Sequence, residues 1–295
     1  MDSPNFLIGG AQKCGTTSLS EYVKQHPNIC MSKKKEIQFF CWDVLYEKGI
    51  QWYLDHFDHC KNYNVVGEAS PDYIYFPKIP KRIFEFIPNV KIIFVLRNPV
   101  DRAYSHYWHQ VRQGWESLSF EKAIKKEKNR ISKSFIHRYR YSYLDRGKYD
   151  IQLKKYLDFF SPEQILVIRT NELWKKRLET ISKVFKFLEV DTGFHPADIK
   201  KKNVGGKPRF PFIYQLTRKK NPFVKPLPIR KFKKSPIEKI FRLMTLWINK
   251  YIVNQFNLKE YPAMNVETRN YLENYFKIHK TNTQRLIKKY NLSEV

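Results

Sequence analysis

Short apolar runs alternate with stretches of helical periodicity over roughly the first two thirds of the chain. In chain order, the apolar runs are Asn5–Ile8, Val65–Val66, Lys91–Leu96 and Gln164–Ile168. The run "KIIFVLR" is bulky and apolar without alternation, which is typical of a strand that is buried on both faces. Strands that alternate with helices predict an α/β fold, with a P-loop-like central parallel sheet flanked by helices.

The segments between and after these strands predict helices. One is expected to begin near Pro99, because proline suits the first helical position, and to run to about Arg112. Further helices are predicted for residues 148–159, 176–188 and 265–291.

The chain between the last two predicted helices has a different composition. Six prolines between residues 203 and 238 are interleaved with lysines and aromatic residues. This pattern predicts a basic, irregular insertion or lid over residues 203–262 rather than a second fold unit. We therefore predict a single domain over residues 1–295.

Charge is the unusual feature of the composition. The chain has 295 residues, with 55 Lys and Arg against 28 Asp and Glu, which gives a net charge of +27. Such a field attracts polyanions, although a lysine-rich, highly soluble surface without any polyanionic partner is the alternative. The hydrophobic content of 42% excludes wholesale disorder.

Neither a targeting segment nor a membrane span is predicted. The N-terminus leads from Met1 almost directly into the first apolar run, without the long apolar core of a signal peptide. The longest apolar stretch, Ile240–Val253, is interrupted by Arg242 and Lys250 and is too short to cross a bilayer. Four cysteines (Cys14, Cys30, Cys41 and Cys60) form no C-x-x-C pair, and we expect free thiols in a reducing compartment.

A glycine-rich loop follows the first predicted strand. "GGAQKCGTTSL" has Gly10 and Gly15 at the spacing of a nucleotide-triphosphate loop, but Thr16 stands where that loop has its lysine, and Lys13 lies inside. A strand, a glycine turn and a helix direct backbone amides and the helix dipole at one point, which predicts an anion site. The alternative is a glycine turn with an N-cap threonine.

A second motif predicts a second anion site. "VLRNPVDRAYSHYWHQ" places Arg97 at the carboxyl end of a central strand, where ligands bind in open α/β sheets. Ser105 follows about two turns into the next helix. A guanidinium fork and a hydroxyl suit a separate phosphate. A nucleotide with a 5′ phosphate chain and another phosphate on its ribose fits both motifs, whereas ATP does not.

With "GEASPDY" between them, these two motifs resemble the sulfotransferases that use 3′-phosphoadenosine 5′-phosphosulfate (PAPS). The similar branch includes bacterial carbohydrate sulfotransferases and heparan sulfate N- and 3-O-sulfotransferases. The resemblance covers roughly residues 4–200 and returns at "EYPAMNVETRNYLENYF". It implies transfer of a sulfuryl group from PAPS to a hydroxyl or amine, with 3′,5′-ADP as product and no metal required.

The resemblance also implies the cofactor-binding residues. Arg97 and Ser105 are expected on the 3′-phosphate, and Lys259 in a loop that clamps the cofactor. Lys13 is expected to stabilise the bridging oxygen as charge develops on the departing nucleotide. The phosphosulfate is expected to contact the loop residues Lys13, Cys14, Gly15, Thr16, Thr17 and Ser18.

Two residues are candidates for the general base. Glu36 in "SKKKEIQFF" precedes an apolar anchor, and the three lysines before it are expected to favour its ionised form. By its composition alone this stretch reads as a solvated charge run, but the carbohydrate branch has its catalytic glutamate in this context. His109 lies at i+4 from Ser105 and resembles a histidine of the N-sulfotransferases, with an ordinary helix histidine as the alternative.

The sequence also departs from the family. The N- and 3-O-sulfotransferases have a lysine where Ala69 follows Glu68, so their acceptor specificity does not transfer. No cysteine lies beyond residue 60 to form the family's C-terminal disulfide, which agrees with the expected cytoplasmic location.

The sequence favours an anionic acceptor molecule without identifying it. We expect a glycan or another anionic acceptor, with a small natural product or a lipid as the alternative, and the oligomeric state is open.

Two other classes of protein are alternatives to a sulfotransferase. A P-loop kinase is the second class, and the missing lysine after the loop disfavours it. The third class is a polyanion-binding protein; basic runs such as Lys125–Lys128 support it, but it explains neither motif, and we expect no nucleic-acid partner.

Overall fold

The computed structural model describes residues 3–197, 207–208, 258–259 and 261–293. It divides into two compact units. The first contains Met1–Ala103, Tyr143–Asn203 and Val266–Val295, and the second contains Tyr104–Ser142 and Val204–Asn265. Most of the predicted lid at 203–262 lies outside the described residues, so the lid and the single domain stay predictions.

A five-stranded sheet forms the centre of the first unit, in the order β2-β3-β1-β4-β5. Every neighbouring pair in this sheet is parallel. The parallel sheet confirms the α/β prediction, although β2 was missed because it is a three-residue strand at the edge. The strands are β1 (Phe6–Gly10), β2 (Ile29–Met31), β3 (Val65–Ala69), β4 (Lys91–Leu96) and β5 (Ile165–Arg169).

Helices connect these strands and continue into the second unit. α5 has the predicted bounds, and α9, α11 and α12 begin and end one or two residues inside theirs. A 3₁₀ helix at Asp55–Cys60 precedes β3. The α-helices are α1 (Thr16–Val23), α2 (Asp43–Tyr46), α3 (Gly49–Leu54), α4 (Ile79–Phe86), α5 (Pro99–Arg112), α6 (Phe120–Lys125), α7 (Glu127–Ile131), α8 (Phe135–Tyr141), α9 (Tyr149–Leu157), α10 (Thr170–Lys175), α11 (Arg177–Phe187) and α12 (Val266–Lys289).

None of the helices that the structure describes combines the length and the apolar character that crossing a bilayer requires. α12 has 24 residues, but charged residues recur along it. One face of α12 is buried through Leu272, Phe276 and Ile287, and the helix packs against α9.

A partly buried ion pair lies in the described part of the second unit. Arg130 Nη1 lies 2.6 Å from Glu116 Oε2, and the guanidinium of Arg130 stacks on the Tyr141 ring. A two-residue strand β6 (Lys207–Pro208) pairs antiparallel with β7 (Leu258–Lys259). Lys259 is described only as part of this strand, so its clamping role stays a prediction.

The expectation that all four cysteines are free thiols is wrong for two of them. Cys30 on β2 and Cys60 at the end of the 3₁₀ helix form a disulfide, with their Cα atoms 5.7 Å apart. The pairing was missed because 30 residues separate the two cysteines, and only the packing of the 3₁₀ helix against β2 brings them together. Cys14 and Cys41 are free and buried.

Gly67 permits the close approach of β3 to β1 at the centre of the sheet. A Cβ atom at this position would lie 2.5 Å from both the backbone oxygen and a ring carbon of Phe6. Phe6 is fully buried and pairs with Gly67 and with Lys91 on the opposite side, so neither neighbour has free space to move into.

We predict that Gly67→Ala lowers the free energy of unfolding by about 1–3 kcal/mol, because overpacking forces β1 and β3 apart. Urea unfolding followed by circular dichroism measures the change. Val44→Ala, at an exposed position of α2, is the control and should alter stability by no more than about 0.5 kcal/mol. Equal stability of the two variants would contradict the tight packing of β1 against β3.

Candidate active site

The glycine-rich loop connects β1 to α1 at the carboxyl edge of the sheet. Gly15 forms the N-cap of α1 with φ 105°, and Lys13 also has a left-handed backbone with φ 71°. The first amides of an α-helix have no acceptor within the helix, so α1 begins with groups that suit an anion. The predicted geometry of strand, glycine turn and helix is therefore present.

Contacts with residues of α9 and α10 hold the glycine-rich loop in position. The Thr170 hydroxyl, at the start of α10, lies 2.6 Å from the Cys14 carbonyl oxygen and 3.1 Å from that of Leu96. The Cys14 thiol is fully buried beside the Tyr149 hydroxyl at 3.6 Å, and burial raises its pKa. The Cys14 amide donates to the Ala11 carbonyl. Cys14 thus stabilises the loop by packing, and its direct contact with a cofactor stays a prediction.

The hydroxyl residues at the start of α1 differ in exposure. Thr16 and Ser18 are buried, at 5% and 2% exposure, whereas Thr17 is half-buried. Lys35 Nζ donates to Thr17 Oγ1 at 2.6 Å, so a cation from the segment after β2 reaches the loop.

Lys35 also joins the loop to the candidate base. Its Nζ lies 3.6 Å from Glu36 Oε1, while it donates to Thr17 on α1. The structure therefore brings Glu36 close to the glycine-rich loop, two features that the sequence placed in separate motifs.

Opposing effects act on the pKa of Glu36. Partial burial raises this pKa, and the nearby Asp72 carboxylate acts in the same direction, while Lys35 and Lys13 lower it. The net shift is upward. Of the three lysines that were expected to favour the ionised form, Lys35 does so, but burial outweighs its effect on the pKa of Glu36.

The backbone that carries Glu36 is held in an unusual conformation. Glu36 and Gln38 have φ values of 56° and 62°, in the left-handed region that non-glycine residues rarely adopt. The Glu36 amide donates to the Ala69 carbonyl at 3.2 Å, and the Gln38 amide donates to Ser70 Oγ at 3.2 Å. Both bonds join this segment to the chain that leaves β3.

A buried ion pair completes the support of this segment. Gln38 Nε2 donates to one oxygen of Asp72 at 2.8 Å, and Arg146 Nη1 lies 2.5 Å from the other. The side chains of Asp72 and Arg146 are 1% and 3% exposed. The Arg146 guanidinium stacks on the Tyr75 ring. Asp72 is therefore fully engaged on both oxygens and fixes the position of Gln38.

Glu68 lies beneath the same segment and is completely buried. Three hydroxyl groups donate to it, from Tyr53 at 3.0 Å, Tyr73 at 2.8 Å and Ser70 at 2.7 Å. Burial raises the pKa of Glu68 despite these bonds. Because it is enclosed, Glu68 supports Ser70 and the surrounding tyrosines rather than contacting a substrate.

Arg97 follows β4 and lies beside the loop. Its Nη1 is 3.5 Å from the Lys13 carbonyl oxygen. Arg97 also lines a cavity of about 370 Å³ beyond the carboxyl ends of β4 and β5, together with the cations of Arg169 and Lys280. The cavity is also lined by Leu96, Asn98, Pro99, Tyr149, Asn171, Thr283, Gln284 and Ile287.

The other two predicted site residues with described side chains belong to the second unit. Ser105 on α5 is 8% exposed. His109 lies further along α5. Its Nδ1 is 3.3 Å from Arg112 Nη2, and its Nε2 is 3.4 Å from Gln113 Nε2. These contacts fit an ordinary helix histidine. The pairing of Ser105 with Arg97 and the catalytic role of His109 stay predictions.

The sequence did not single out four residues that organise this site. Lys35 was one of three identical lysines, and only the structure shows that it reaches Thr17. Gln38 and Asp72 stood inside quoted motifs without an assigned role, although buried polar residues need partners. Arg146 gave no local signal, because its partner Asp72 lies 74 residues away.

The chain matches the family model of the sulfotransferase domain over residues 3–204 and therefore belongs to the sulfotransferase family of enzymes. A crystal structure of a sulfotransferase from Alicyclobacillus acidocaldarius is 36% identical, with a TM-score of 0.60 over 68% of this chain and 87% of that one.

Curated relatives are longer proteins. The bifunctional heparan sulfate N-deacetylase/N-sulfotransferase 4 of Mus musculus is 32% identical over 195 residues, which are 63% of this chain and 22% of that protein. The membrane-associated sulfotransferase kil1 of Dictyostelium discoideum is 40% identical over 112 residues, 37% of this chain and 23% of that protein. The chain thus spans less than a quarter of the length of these relatives.

We predict that Asp72→Asn destabilises the protein by about 3–5 kcal/mol, because it removes the negative charge that lies against the buried Arg146 guanidinium. The midpoint of urea unfolding measures this loss. Asp158→Asn, at the C-cap of α9, is the matched control and should change stability by less than about 0.5 kcal/mol. A loss of less than about 1 kcal/mol for Asp72→Asn would contradict the structural role of the ion pair between Asp72 and Arg146.

Proposed function

We propose that the protein transfers a sulfuryl group from PAPS to a hydroxyl or amine of a carbohydrate acceptor. The observation that carries this proposal is the position of Lys35, which contacts both Thr17 on the anion loop and the Glu36 carboxylate. The proposed anion site for the donor and the proposed base for the acceptor are thus adjacent. The family of the chain and its similarity to a heparan sulfate N-sulfotransferase support the same activity.

The groups on the loop fit the phosphosulfate of PAPS. The first amides of α1, the Thr17 hydroxyl and the ammonium groups of Lys13 and Lys35 are donors or cations that bind oxyanions. Lys13 would bind at the bridging oxygen and Gly15 would allow the chain to approach the ligand closely. Arg97, Ser105 and Lys259 are the residues proposed for the 3′-phosphate and the clamp.

Glu36 is proposed to accept the proton of the attacking hydroxyl or amine. PAPS supplies the sulfuryl group, and 3′,5′-ADP leaves with the electron pair of the broken bond between sulfur and the bridging oxygen. Lys13 and Lys35 would stabilise the negative charge that develops near the loop, an interaction that is strongest in the transition state. The backbone bonds to Ala69 and Ser70 would keep the segment of Glu36 in place.

A glycan is the acceptor that we favour. Aromatic faces suit sugar stacking, and the net charge of +27 favours an acidic polymer. A sulfotransferase for a small natural product or a lipid is the alternative. Transfer from labelled PAPS to N-deacetylated, unsulfated heparan-type polysaccharide, compared with small phenols and lipid hydroxyls, distinguishes these acceptors. We place the protein in the cytoplasm as part of the same proposal, and fractionation of cells that produce it tests this location.

We predict that Glu36→Gln lowers turnover about 10²- to 10⁴-fold while nucleotide binding is retained, because an amide cannot accept the acceptor proton. Initial rates with labelled PAPS measure the loss. Glu47→Gln, at an exposed position after α2, is the matched control and should keep normal rates. Near-normal turnover of Glu36→Gln would place the base elsewhere, with His109 as the next residue to test.

The pH dependence of activity is a second test of Glu36 as the general base. Glu36 must be ionised to act as a base, so activity falls as the pH drops through its raised pKa. Lys35→Met removes a cation that lowers this pKa, and the acid limb of the kcat/KM profile should then move to higher pH. Lys34→Met, which leaves both contacts of Lys35 intact, is the control. An unmoved acid limb in Lys35→Met would contradict the assignment.

We predict that 3′,5′-ADP stabilises the protein against heat far more than 5′-AMP does, because only the former carries the phosphate assigned to Arg97. A ligand at about 100 times its Kd adds roughly 2.7 kcal/mol of stability, which corresponds to a Tm increase of a few degrees. Differential scanning fluorimetry measures the shift.

Arg97→Ala should remove most of the difference between these two nucleotides and leave the loop intact. Arg169→Ala, at another position of the same cavity, is the control that should preserve it. Equal shifts with 5′-AMP and 3′,5′-ADP in the unmutated protein would contradict the proposed donor, and a larger shift with ATP and Mg²⁺ would favour a kinase.

A further inference from the structure

Cys30, His59 and Cys60 form a cluster of metal-ligating side chains at the edge of the sheet, and none of the three is among the proposed catalytic or cofactor-binding residues. Cys30 lies on β2, and the other two end the 3₁₀ helix Asp55–Cys60. The two sulfurs and a ring nitrogen of His59 all lie within 4.8 Å of one another. We call these three residues the edge cluster.

The two distances from the imidazole to the sulfurs match those of a tetrahedral zinc site. His59 Nε2 lies 3.5 Å from Cys30 Sγ and 3.6 Å from Cys60 Sγ. Zinc binds sulfur at about 2.3 Å and imidazole nitrogen at about 2.0 Å, so tetrahedral angles place these ligand atoms about 3.6 Å apart. The imidazole is thus already at the required distance from both sulfurs. Only the two sulfurs have to separate, to about 3.8 Å by the same geometry.

The surroundings of the edge cluster also suit a metal site. Cys30 and Cys60 are buried, at 6% and 3% exposure, whereas His59 is exposed. The thiolates would therefore be shielded from solvent, while an ion could reach them from the exposed side, where His59 lies. Three protein ligands leave a fourth position for water, as in other zinc sites with three protein ligands.

We propose that the edge cluster is a redox-dependent zinc site, in which the disulfide and a Zn²⁺ complex are alternative states of the same residues. A dithiol reductant gives two electrons to the Cys30–Cys60 bond and becomes a disulfide itself, which leaves two thiols on the protein. Zn²⁺ then binds both sulfurs and His59 Nε2, and the two thiol protons are released. Oxidation by a disulfide reverses the exchange and expels the ion.

One existing contact competes with the metal. His59 Nε2 lies 3.1 Å from the Met31 carbonyl oxygen, so in the disulfide state the ring carries its proton on Nε2 and donates there. Metal binding requires the lone pair of Nε2 and moves this proton to Nδ1. The lost hydrogen bond and the single imidazole ligand make the site weaker than a closed site with four cysteine or histidine ligands.

The edge cluster adjoins the segment that carries Lys35 and Glu36. Immediately after β2, the Ser32 amide donates to the Gly67 carbonyl at 2.9 Å, and the Lys33 amide donates to the His56 carbonyl at 3.1 Å. The 3₁₀ helix therefore fixes the start of this segment, and either state of the cluster, disulfide or zinc, would keep the helix attached to β2. Reduction without zinc would remove the covalent part of that attachment and leave only the hydrogen bonds.

The test measures zinc directly and does not depend on sulfotransferase activity. The full chain is reduced with a dithiol, freed of reductant without air, and titrated with Zn²⁺ against a chromophoric chelator. We expect about one Zn²⁺ per reduced chain and none per oxidised chain. Titration with Co²⁺ should give the visible absorption of a tetrahedral thiolate complex in the reduced protein only. Absence of zinc from the reduced chain, or equal binding by both forms, would overturn the proposal.

Variants identify the ligands. Cys30→Ser should abolish tight binding, and His59→Ala should weaken it at least tenfold. His56→Ala is the matched control, because His56 lies in the same 3₁₀ helix with its Nδ1 already 2.9 Å from the Trp52 carbonyl oxygen. It should bind zinc as the unmutated chain does. If His56→Ala weakens binding as much as His59→Ala, or if Cys30→Ser binds normally, the ion is on another site and the assignment is wrong. Far-ultraviolet circular dichroism of each variant shows whether it folds, and the comparison of oxidised with reduced protein needs no variant.

Discussion

The Asp72 carboxylate is almost completely removed from water, and the candidate site depends on how this charge is compensated. Arg146 lies against one of its oxygens and Gln38 donates to the other. An unpaired buried charge costs several kcal/mol, so the chain around Asp72 has little freedom to rearrange. Because Gln38 is part of this arrangement, a buried pair of charges supports the left-handed backbone on which Glu36 lies.

Opposing effects also act on Glu36, which Gln38 helps to position, and their net result is a raised pKa. Burial favours a protonated Glu36, whereas the neighbouring cations favour the carboxylate. A base is most effective when its pKa is close to the working pH, because it is then both ionised and able to hold a proton. Lys35 also donates to Thr17, so its positive charge lies beside both Glu36 and the glycine-rich loop.

The sequence allowed the parallel sheet, the loop and four helices to be predicted, because these depend on local patterns. Helical patterns between the apolar runs indicated α9 and α11, start signals such as Pro99 indicated α5 and α12, and glycine spacing indicated the turn before α1. The contacts that hold the site together were not predictable in this way. Arg146 meets Asp72, and Cys30 meets Cys60, only after distant segments pack, and single residues carry no sign of such partners. The strand β2 was missed for a different reason, because three residues are too few to show a periodic pattern.

The central place of β1 has a consequence for how the chain acquires its structure. Phe6 pairs with Gly67 on one side and Lys91 on the other, so both partners of β1 follow it at long separation in the chain. Long-range parallel pairing is slow, because loop closure must precede the contacts that reward it. During synthesis β1 can pair with β3 first, but its other edge has no partner until β4 has emerged, and until then this apolar edge is open to association with other chains.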